Sequence, residues 1–499
     1  MDTDLRYASA SGRWVLLATV MGSGIAALDA TVVNIALPRI GRDFDTGLTG
    51  LQWTVNAYGL TLAGFLLLGG SLGDRYGRRK VFGVGVVWFT VASVLCAGAP
   101  TAGFLIAARA LQGIGGALLV PGSLAIIQAS FRPQDRSAAI GAWSGLAGVA
   151  TAVGPFVGGW LIQAVSWRLI FLINVPFGAV TVWATLRHVP ETRDLNSAGG
   201  VDVAGAALAA GGLAGIVYAL TEGSNLSWAS PVVVLTALGG AAAVVAMIVV
   251  EARSSNPMPP LSLFRSRQFN AANAVTFIVY AALTGSIFLV PIVLQNVLGF
   301  SPLLSGAALL PITILMLTLS TQAGRLSQRF GPRLPMTLGP VVAGSGLALL
   351  ARIEIGSSYW DAVLPGVTVF GLGLSLTVAP LTSTVLSSVS DDHAGTASAV
   401  NNDVSRIAGL VAVAVLPLLA GISANNYRRP SDLAAGFDTA MWIAAAVCAL
   451  GGVIALLTIR APALREEPKF AHCAVDAAPL RGPNRPRSLA PEPLGVGET

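Results

Sequence analysis

Long apolar segments separated by short charged ones make up nearly the whole chain. Most of these segments are close to or above the roughly 20 residues that an α-helix needs to cross a bilayer. Helices are predicted because every backbone amide in lipid must be bonded within its own segment, and the ~10-residue alternating strands of a membrane barrel are not visible. The pattern predicts about fourteen spans, at residues 14–38, 51–70, 81–99, 102–128, 137–162, 168–186, 202–221, 231–251, 270–295, 303–322, 333–351, 362–386, 396–420 and 438–459.

The composition also indicates a membrane protein. Apolar residues make up 54% of the chain and charged residues 11%, whereas a soluble domain carries roughly 25% charged residues. The cysteines have no obvious partners and the histidines lie in loops or in the tail, so neither a disulfide framework nor a metal site is expected. No nucleotide-binding motif is visible. The chain is therefore expected to be no enzyme, to hold no cofactor and to use an energy source other than ATP.

The basic residues lie at the ends of the spans and predict an orientation. If the N-terminus is cytoplasmic, most of them face the cytoplasm and few face outward. This predicts a multi-pass protein of a bacterial inner membrane with both termini cytoplasmic, and no nucleic-acid partner despite a net charge of +6. The residues predicted to face the cytoplasm are Arg75, Arg78, Arg79, Lys80, Arg132, Arg136, Arg187, Arg193, Arg253, Arg265, Arg267, Arg325, Arg329 and Arg333.

An internal repeat divides the chain. Segment 70–77 (GSLGDRYG) recurs as segment 324–331 (GRLSQRFG), each between the second and third span of its half. Such repeats are typical of transporters, whose binding sites lie at the repeat interface. The predicted organisation is two six-helix bundles with an extra helix pair between them. Its parts are an N-terminal segment at 1–13, a first bundle at 14–190, two additional helices at 200–251, a second bundle at 265–460 and a disordered cytoplasmic tail at 461–499.

Asp29 is the residue that points most directly to chemistry. A carboxylate inside a span costs about 2.5–3.5 kcal/mol on insertion scales, so it must be paired, solvated or protonated. Arg109 in the fourth span is its natural partner, because helix-rise arithmetic places both in the outer half of the bilayer. We expect the pair to couple proton binding to conformational change. The alternatives are a static buried salt bridge and a purely structural hydrogen bond.

Polar and aromatic side chains near this level predict a substrate cavity. Trp53 and Tyr58 could simply belong to an interfacial aromatic belt. The functional alternative is a cavity wall whose rings stack against flat or cationic ligands. The predicted cavity residues are Asn34, Gln52, Trp53, Asn56, Tyr58 and Gln112.

The fifth span contains a proline among glycines. Pro155 lacks an N–H and predicts a bend. Gly154 and Gly158 are one turn apart and favour close helix packing, with Gly159 beside them. A tightly packed helix between the halves would seal the path against ions, although packing alone also explains the pattern.

The loop between the second and third spans predicts a conformational latch. Its members are Gly70, Asp74, Arg75, Gly77 and Arg78. Asp74 is expected to contact the N-terminus of a helix in the other half, the span starting near residue 396, in one conformation only. The alternative is an ordinary basic cytoplasmic loop. In that other span, Asp403 and Arg406 are three residues apart and are expected to pair.

Five segments in order resemble the major facilitator superfamily, specifically the fourteen-helix drug:proton antiporters of the EmrB/QacA type. Segment 70–79 resembles the cytoplasmic signature loop, and segment 109–113 the fourth-helix motif that the family links to proton transfer. Segment 154–159 is similar to the antiporter motif of the fifth helix. Segments 28–38 and 167–176 resemble further parts of the fourteen-helix family.

The resemblance implies alternating access by two bundles, with protons entering as a compound leaves. It departs from the family at Gln328, where the signature has an acid, and the spans at 270–295 and 303–322 lack the carboxylates that some members use for dicationic drugs. The expected function is proton-driven export of small hydrophobic or cationic compounds by a monomer in the lipid bilayer. A proton symporter or importer on the same fold, and a receptor or sensor without transport, are the alternatives.

Overall fold

The described part of the chain is almost entirely helical. The computed structural model describes residues 5–193, 202–254, 261–390, 394–423 and 426–460. Within these ranges, fourteen helices are long and apolar enough to cross a membrane and no extended strand occurs, which confirms the predicted all-α polytopic class. They are α1 (Ala10–Asp43), α2 (Leu48–Tyr76), α3 (Arg78–Ala97), α4 (Ala102–Ser130), α5 (Pro133–Ala164), α6 (Leu169–His188), α7 (Val203–Leu226), α8 (Pro231–Arg253), α9 (Arg267–Asn296), α10 (Pro302–Phe330), α11 (Arg333–Leu350), α12 (Tyr359–Ser387), α13 (Ala394–Leu419) and α14 (Pro430–Thr458).

Several helices extend beyond the predicted apolar spans. The hydropathy pattern marks only the lipid-facing centre of a helix, whereas capping continues it through polar turns. α1 begins at Ala10, not at residue 14, because the Ser9 hydroxyl accepts a hydrogen bond from the Gly12 amide at 3.0 Å. α14 begins eight residues before its predicted start, with Pro430 at its first turn and Asp432 beside it. The predicted tail at 461–499 and residues 1–4 and 200–201 lie outside the described residues.

The two halves use the same set of helix pairings. In the first half, α1 packs on α5 and α6, and α4 packs on α2 and α3. The same pairings recur eight helices later, where α9 packs on α13 and α14, and α12 packs on α10 and α11. The repeat seen in the loop sequences is therefore also present in the helix packing.

The two additional helices pack mainly against each other and against the first half. α7 contacts α2 and α13, whereas α8 contacts chiefly α7. Trp53 on α2 donates a hydrogen bond from Nε1 to Oε1 of Glu222 on α7, at 2.8 Å. A side chain predicted to line the cavity thus joins α2 to the extra pair instead, because α7 covers this face of α2.

Candidate functional site

Asp29 and Arg109 form an ion pair in the centre of the first half. Both side chains are almost fully buried, with 1% of each residue exposed. Arg109 Nη1 donates to Asp29 Oδ2 and, at 2.7 Å, to Gln112 Oε1. Gln112 in turn donates from Nε2 to Asp29 Oδ1 at 2.8 Å. The contact expected between Asp29 on α1 and Arg109 on α4 is present, and Gln112 belongs to the same cluster.

Two further members of this cluster had no predicted role. The Ser93 hydroxyl on α3 accepts hydrogen bonds from Gln112 at 2.9 Å and from Asn174 at 3.1 Å. Asn174 on α6 also donates to Asp29 Oδ1, at 3.5 Å. Both side chains are fully buried. A polar residue inside an apolar span needs a hydrogen-bond partner there. The sequence therefore indicates that Ser93 and Asn174 have partners, but it does not identify those partners.

The Arg109 guanidinium has other neighbours besides Asp29. Its Nε donates to the backbone carbonyl of Thr54 at 3.1 Å. Its Cζ lies 4.3 Å from the centroid of the Tyr58 ring and 5.8 Å from that of Phe171, within range of a cation–π attraction. These contacts stabilise the guanidinium in addition to its ion pair with Asp29.

Glycines bring α4 close enough to α2 for this arrangement. A Cβ atom at Gly113 would lie 2.3 Å from the carbonyl oxygen of Tyr58, a distance that real Cβ atoms do not adopt. At Gly116 a Cβ atom would lie 3.4 Å from the Tyr58 hydroxyl. The small residues that follow Arg109 thus let the two backbones approach, as is common between membrane helices.

The two halves are joined at the end that carries Asp45, called here the Asp45 end. Gln52 on α2 donates to the carbonyl of Val413 on α13 at 2.8 Å, and Asn56 to that of Leu410 at 3.5 Å. Arg428 pairs with Asp45 at 2.7 Å. Gln52 and Asn56 were predicted to line the cavity. In this conformation they close it, and their contact with substrate stays a prediction for a conformation open at this end.

The predicted small-residue motif of α5 also lies at the contact between halves. Gly154 and Gly158 face Thr31 and Val32 on α1. Gly159 instead faces the second half, where a Cβ atom would lie 2.5 Å from the carbonyl oxygen of Pro302. In return, a Cβ atom at Gly306 would lie 2.2 Å from the carbonyl oxygen of Pro155. Two backbones from opposite halves therefore meet here without intervening side chains.

A cavity of about 530 Å³ separates the halves at the opposite end. This end carries the basic loop around Arg78 and is called the arginine-rich end. Helices α2, α3, α4, α5 and α13 provide the cavity's walls, with Trp143 on the α5 side and Arg406 on the α13 side. Closure at one end and a cavity at the other define a conformation that is open toward the arginine-rich end.

Asp74 does not cap α13 in this conformation. It accepts a hydrogen bond from Arg78 Nε at 2.8 Å and pairs with Nη2 at 2.7 Å. Gly395 and Thr396, at the start of α13, line the same cavity as Asp74. The latch contact is thus open here, and its formation in another conformation stays a prediction.

The loop is held instead by the segment that follows α6. Gly77 has a backbone φ angle of +111°, which residues other than glycine rarely adopt. The Arg78 amide donates to the carbonyl of Thr192 at 3.0 Å, and the Arg79 amide to Glu191 Oε1 at 3.1 Å. Gly70 and Arg75 lie just before this turn, at the end of α2.

Gly77→Ala is expected to destabilise this loop. Its Cβ atom would lie 2.6 Å from Glu191 Oε1 and would add backbone strain at φ +111°. Strain of this kind costs about 1–3 kcal/mol, so the thermal unfolding midpoint of the purified protein should fall by several degrees. Gly83→Ala on α3 is the matched control because no neighbouring atom lies within 4 Å of its Cβ position. Equal midpoints for the two variants would contradict the role given to Gly77.

Asp403 and Arg406 do not form the predicted pair. Asp403 Oδ1 and Arg406 Nε are both buried without a hydrogen-bond partner. The i, i+3 spacing makes such a pair possible on a helix but does not by itself bring the charged atoms within bonding distance. Asn34, the remaining predicted cavity residue, donates to the Ala30 carbonyl at 3.2 Å within α1.

The fold and the site together define a multi-pass α-helical membrane transporter, not an enzyme. A sequence profile of the Major Facilitator Superfamily matches residues 19–413, and the chain belongs to this family. Multidrug resistance protein Stp of Mycobacterium tuberculosis (strain CDC 1551 / Oshkosh) is 36% identical over 402 residues, which cover 80% of this chain and 74% of the relative. The tetracenomycin C resistance and export protein of Streptomyces glaucescens is 34% identical, with coverages of 81% and 75%. The methylenomycin A resistance protein of Bacillus subtilis (strain 168) is 34% identical, with coverages of 84% and 90%.

Solved structures share the fold at low sequence identity. A bacterial homolog of the human lysosomal transporter Spinster, in an inward-facing and occupied conformation, has a TM-score of 0.65 at 17% identity. The match covers 91% of this chain and 98% of that one. A POT family transporter in complex with a thioalcohol-conjugated peptide has a TM-score of 0.66 at 13% identity, with coverages of 89% and 95%.

Proposed function

We propose that the protein exports small hydrophobic compounds across a bacterial inner membrane in exchange for protons. The observation that carries the proposal is the buried cluster of Asp29, Arg109 and Gln112, which lies between a closed Asp45 end and a cavity at the arginine-rich end. The names of the relatives, which include resistance and export proteins, add support for drug export. Both termini are proposed to be cytoplasmic, so that the cavity takes its substrate from the cytoplasm.

Protonation of Asp29 is the proposed coupling step. A proton on this carboxylate would remove the negative charge from the ion pair while Arg109 kept the Thr54 carbonyl, the Gln112 amide oxygen and the Tyr58 ring. The helices that carry Asp29 and Arg109 would then be held together less tightly. Release of the proton restores the pair. One acid thus gives α1 and α4 two different interaction energies.

The contacts that close the Asp45 end can break when the two halves move apart. At the Asp45 end, Gln52 and Asn56 bind backbone carbonyls, and the glycine contacts bury only main chain. Their rupture would open this end, and docking of Asp74 against α13 would close the other. The bundles are proposed to act within one protein molecule in the bilayer, without a cofactor. Asp74 and Arg78 pair with each other, so the remaining charge among the described residues that line the cavity is the positive charge of Arg406. A positive charge disfavours cationic compounds, which the sequence had also suggested as substrates.

The test is transport by purified protein in liposomes. Export of a hydrophobic fluorescent compound should follow an imposed pH gradient and reverse when the gradient is reversed. In cells, the same compound should accumulate more after deletion of the gene. Lower accumulation after deletion would favour an importer, and failure to move any compound in liposomes would favour a receptor or sensor.

A further inference from the structure

The cavity at the arginine-rich end has an uneven charge balance. Asp74, Arg78 and Arg406 are the charged side chains among the described residues that line it. Asp74 and Arg78 form an ion pair at 2.7 Å. The remaining charge is the guanidinium of Arg406, whose Nε is buried without a hydrogen-bond partner. A buried donor left unpaired is costly, which indicates that another group binds there.

Arg406 lies at the inner end of the cavity. Asn402 and Arg406 are one turn apart on the face of α13 that lines the cavity. The carbonyl of Leu410, which accepts the hydrogen bond from Asn56 in the closed end, follows one turn later. At a rise of 1.5 Å per residue this is about 6 Å further along the helix. A compound entering from the arginine-rich end would therefore meet Arg406 just before the contact between Asn56 and Leu410 that closes the Asp45 end.

Asp403 does not form a hydrogen-bonded ion pair with the Arg406 guanidinium. It lies three residues before Arg406, but its own Oδ1 is buried without a hydrogen-bond partner. It is also not among the cavity-lining residues. The attraction between the two charges is therefore partial, and the guanidinium remains available to an acceptor in the cavity. The opposite wall carries Leu66 and Trp143, which suit an apolar ring system.

We propose that Arg406 binds the anionic oxygen of the substrate, so that the preferred substrates are apolar ring compounds bearing a carboxylate or an acidic hydroxyl. The inference rests on the proposed export function and names its substrate class. Guanidinium groups pair with carboxylates through two parallel hydrogen bonds. A volume of about 530 Å³ is in the range of sites for drug-sized ligands.

The experiment measures binding to the full-length protein in nanodiscs of zwitterionic lipid. The probes are pyrenebutyric acid, its methyl ester and a pyrene of equal length ending in an amine. The acid should bind most tightly. Arg406→Gln should weaken binding of the acid about 10- to 100-fold, the loss expected for a hydrogen bond to a charged group, and leave the ester unchanged. Arg406→Lys should retain part of the affinity. Arg325→Gln, the same change at an exposed position of α10, should have no effect.

Asp403→Asn separates substrate recognition from a structural role. Removing the nearby negative charge should tighten binding of the acid severalfold if Arg406 receives the anion. Tighter binding of the amine than of the acid, or equal binding of the acid by Arg406→Gln and the unaltered protein, would overturn the proposal. Displacement of the acid by phosphatidylglycerol without any probe transport would assign the site to a lipid headgroup and also overturn it. Transport of all three probes with no dependence on Arg406 would refute this inference and leave the export function standing. The expected binding pattern without transport would do the reverse.

Discussion

Asp29→Asn is expected to abolish pH-driven export while the protein remains folded in the membrane. Asparagine keeps the size and the hydrogen-bond acceptor that Gln112 and Asn174 use at Oδ1, but it cannot exchange a proton. Export in liposomes with an imposed pH gradient should fall to the background rate. Exchange of substrate for substrate, which needs no proton, should persist.

The control for this variant is Asp361→Asn, the same change at an exposed position at the start of α12. It should export at the rate of the unaltered protein. If Asp29→Asn also exports normally under a pH gradient, the pair with Arg109 is a static salt bridge, and coupling lies elsewhere. Removing one partner of a buried pair costs about 3–5 kcal/mol, so thermal unfolding must be measured in parallel to separate loss of coupling from loss of folding.

Gly306→Ala is expected to prevent closure of the Asp45 end and thereby to stop transport. Its Cβ atom would lie 2.2 Å from the carbonyl oxygen and 2.7 Å from the carbonyl carbon of Pro155. Both are main-chain atoms of the other half, so no side chain can move aside. The closed arrangement should become inaccessible, and turnover should fall to background because alternating access requires both end states.

A labelling experiment detects this change directly. A cysteine is introduced at position 34 as the reporter of access from the Asp45 end, and Cys473 is replaced by serine. The two remaining cysteines, Cys96 and Cys448, are buried and should not react. A membrane-impermeant maleimide added on that side should react faster in the Gly306→Ala background. Gly324→Ala on the same helix has no neighbouring atom within 4 Å of its Cβ position and should change neither labelling nor transport. Normal turnover by Gly306→Ala would show that the halves do not need this contact.

The sequence predicted the architecture well because membrane physics leaves few alternatives. Apolar length fixes the helices, and the repeated loop at 70–77 and 324–331 predicts two similar halves. The Asp29–Arg109 contact was predictable for the same reason, since an isolated charge in lipid needs a partner. Ser93 and Asn174 were not recognised, because neutral polar residues are cheaper to bury and give a weaker signal.

The predicted cavity residues show what the sequence could not supply. Gln52, Trp53 and Asn56 all lie in the first turns of α2, yet they bind α13, α7 and α13 respectively. The sequence gives the level of a residue along its helix but not which neighbour covers each face. It also does not select between conformations. Asp74 therefore had a predicted partner in the other half but contacts Arg78 in this one.

One buried carboxylate, Asp29, is proposed to exchange a proton each time a compound crosses the membrane. The most direct measurement loads liposomes with a pH-sensitive dye, sets equal pH on both sides and imposes a gradient of the exported compound alone. Protons should then move against the compound's direction, raising or lowering the internal pH with the sign of the gradient, and Asp29→Asn should show no change. Movement of the compound with no pH change, or with protons moving in the same direction, would contradict the account.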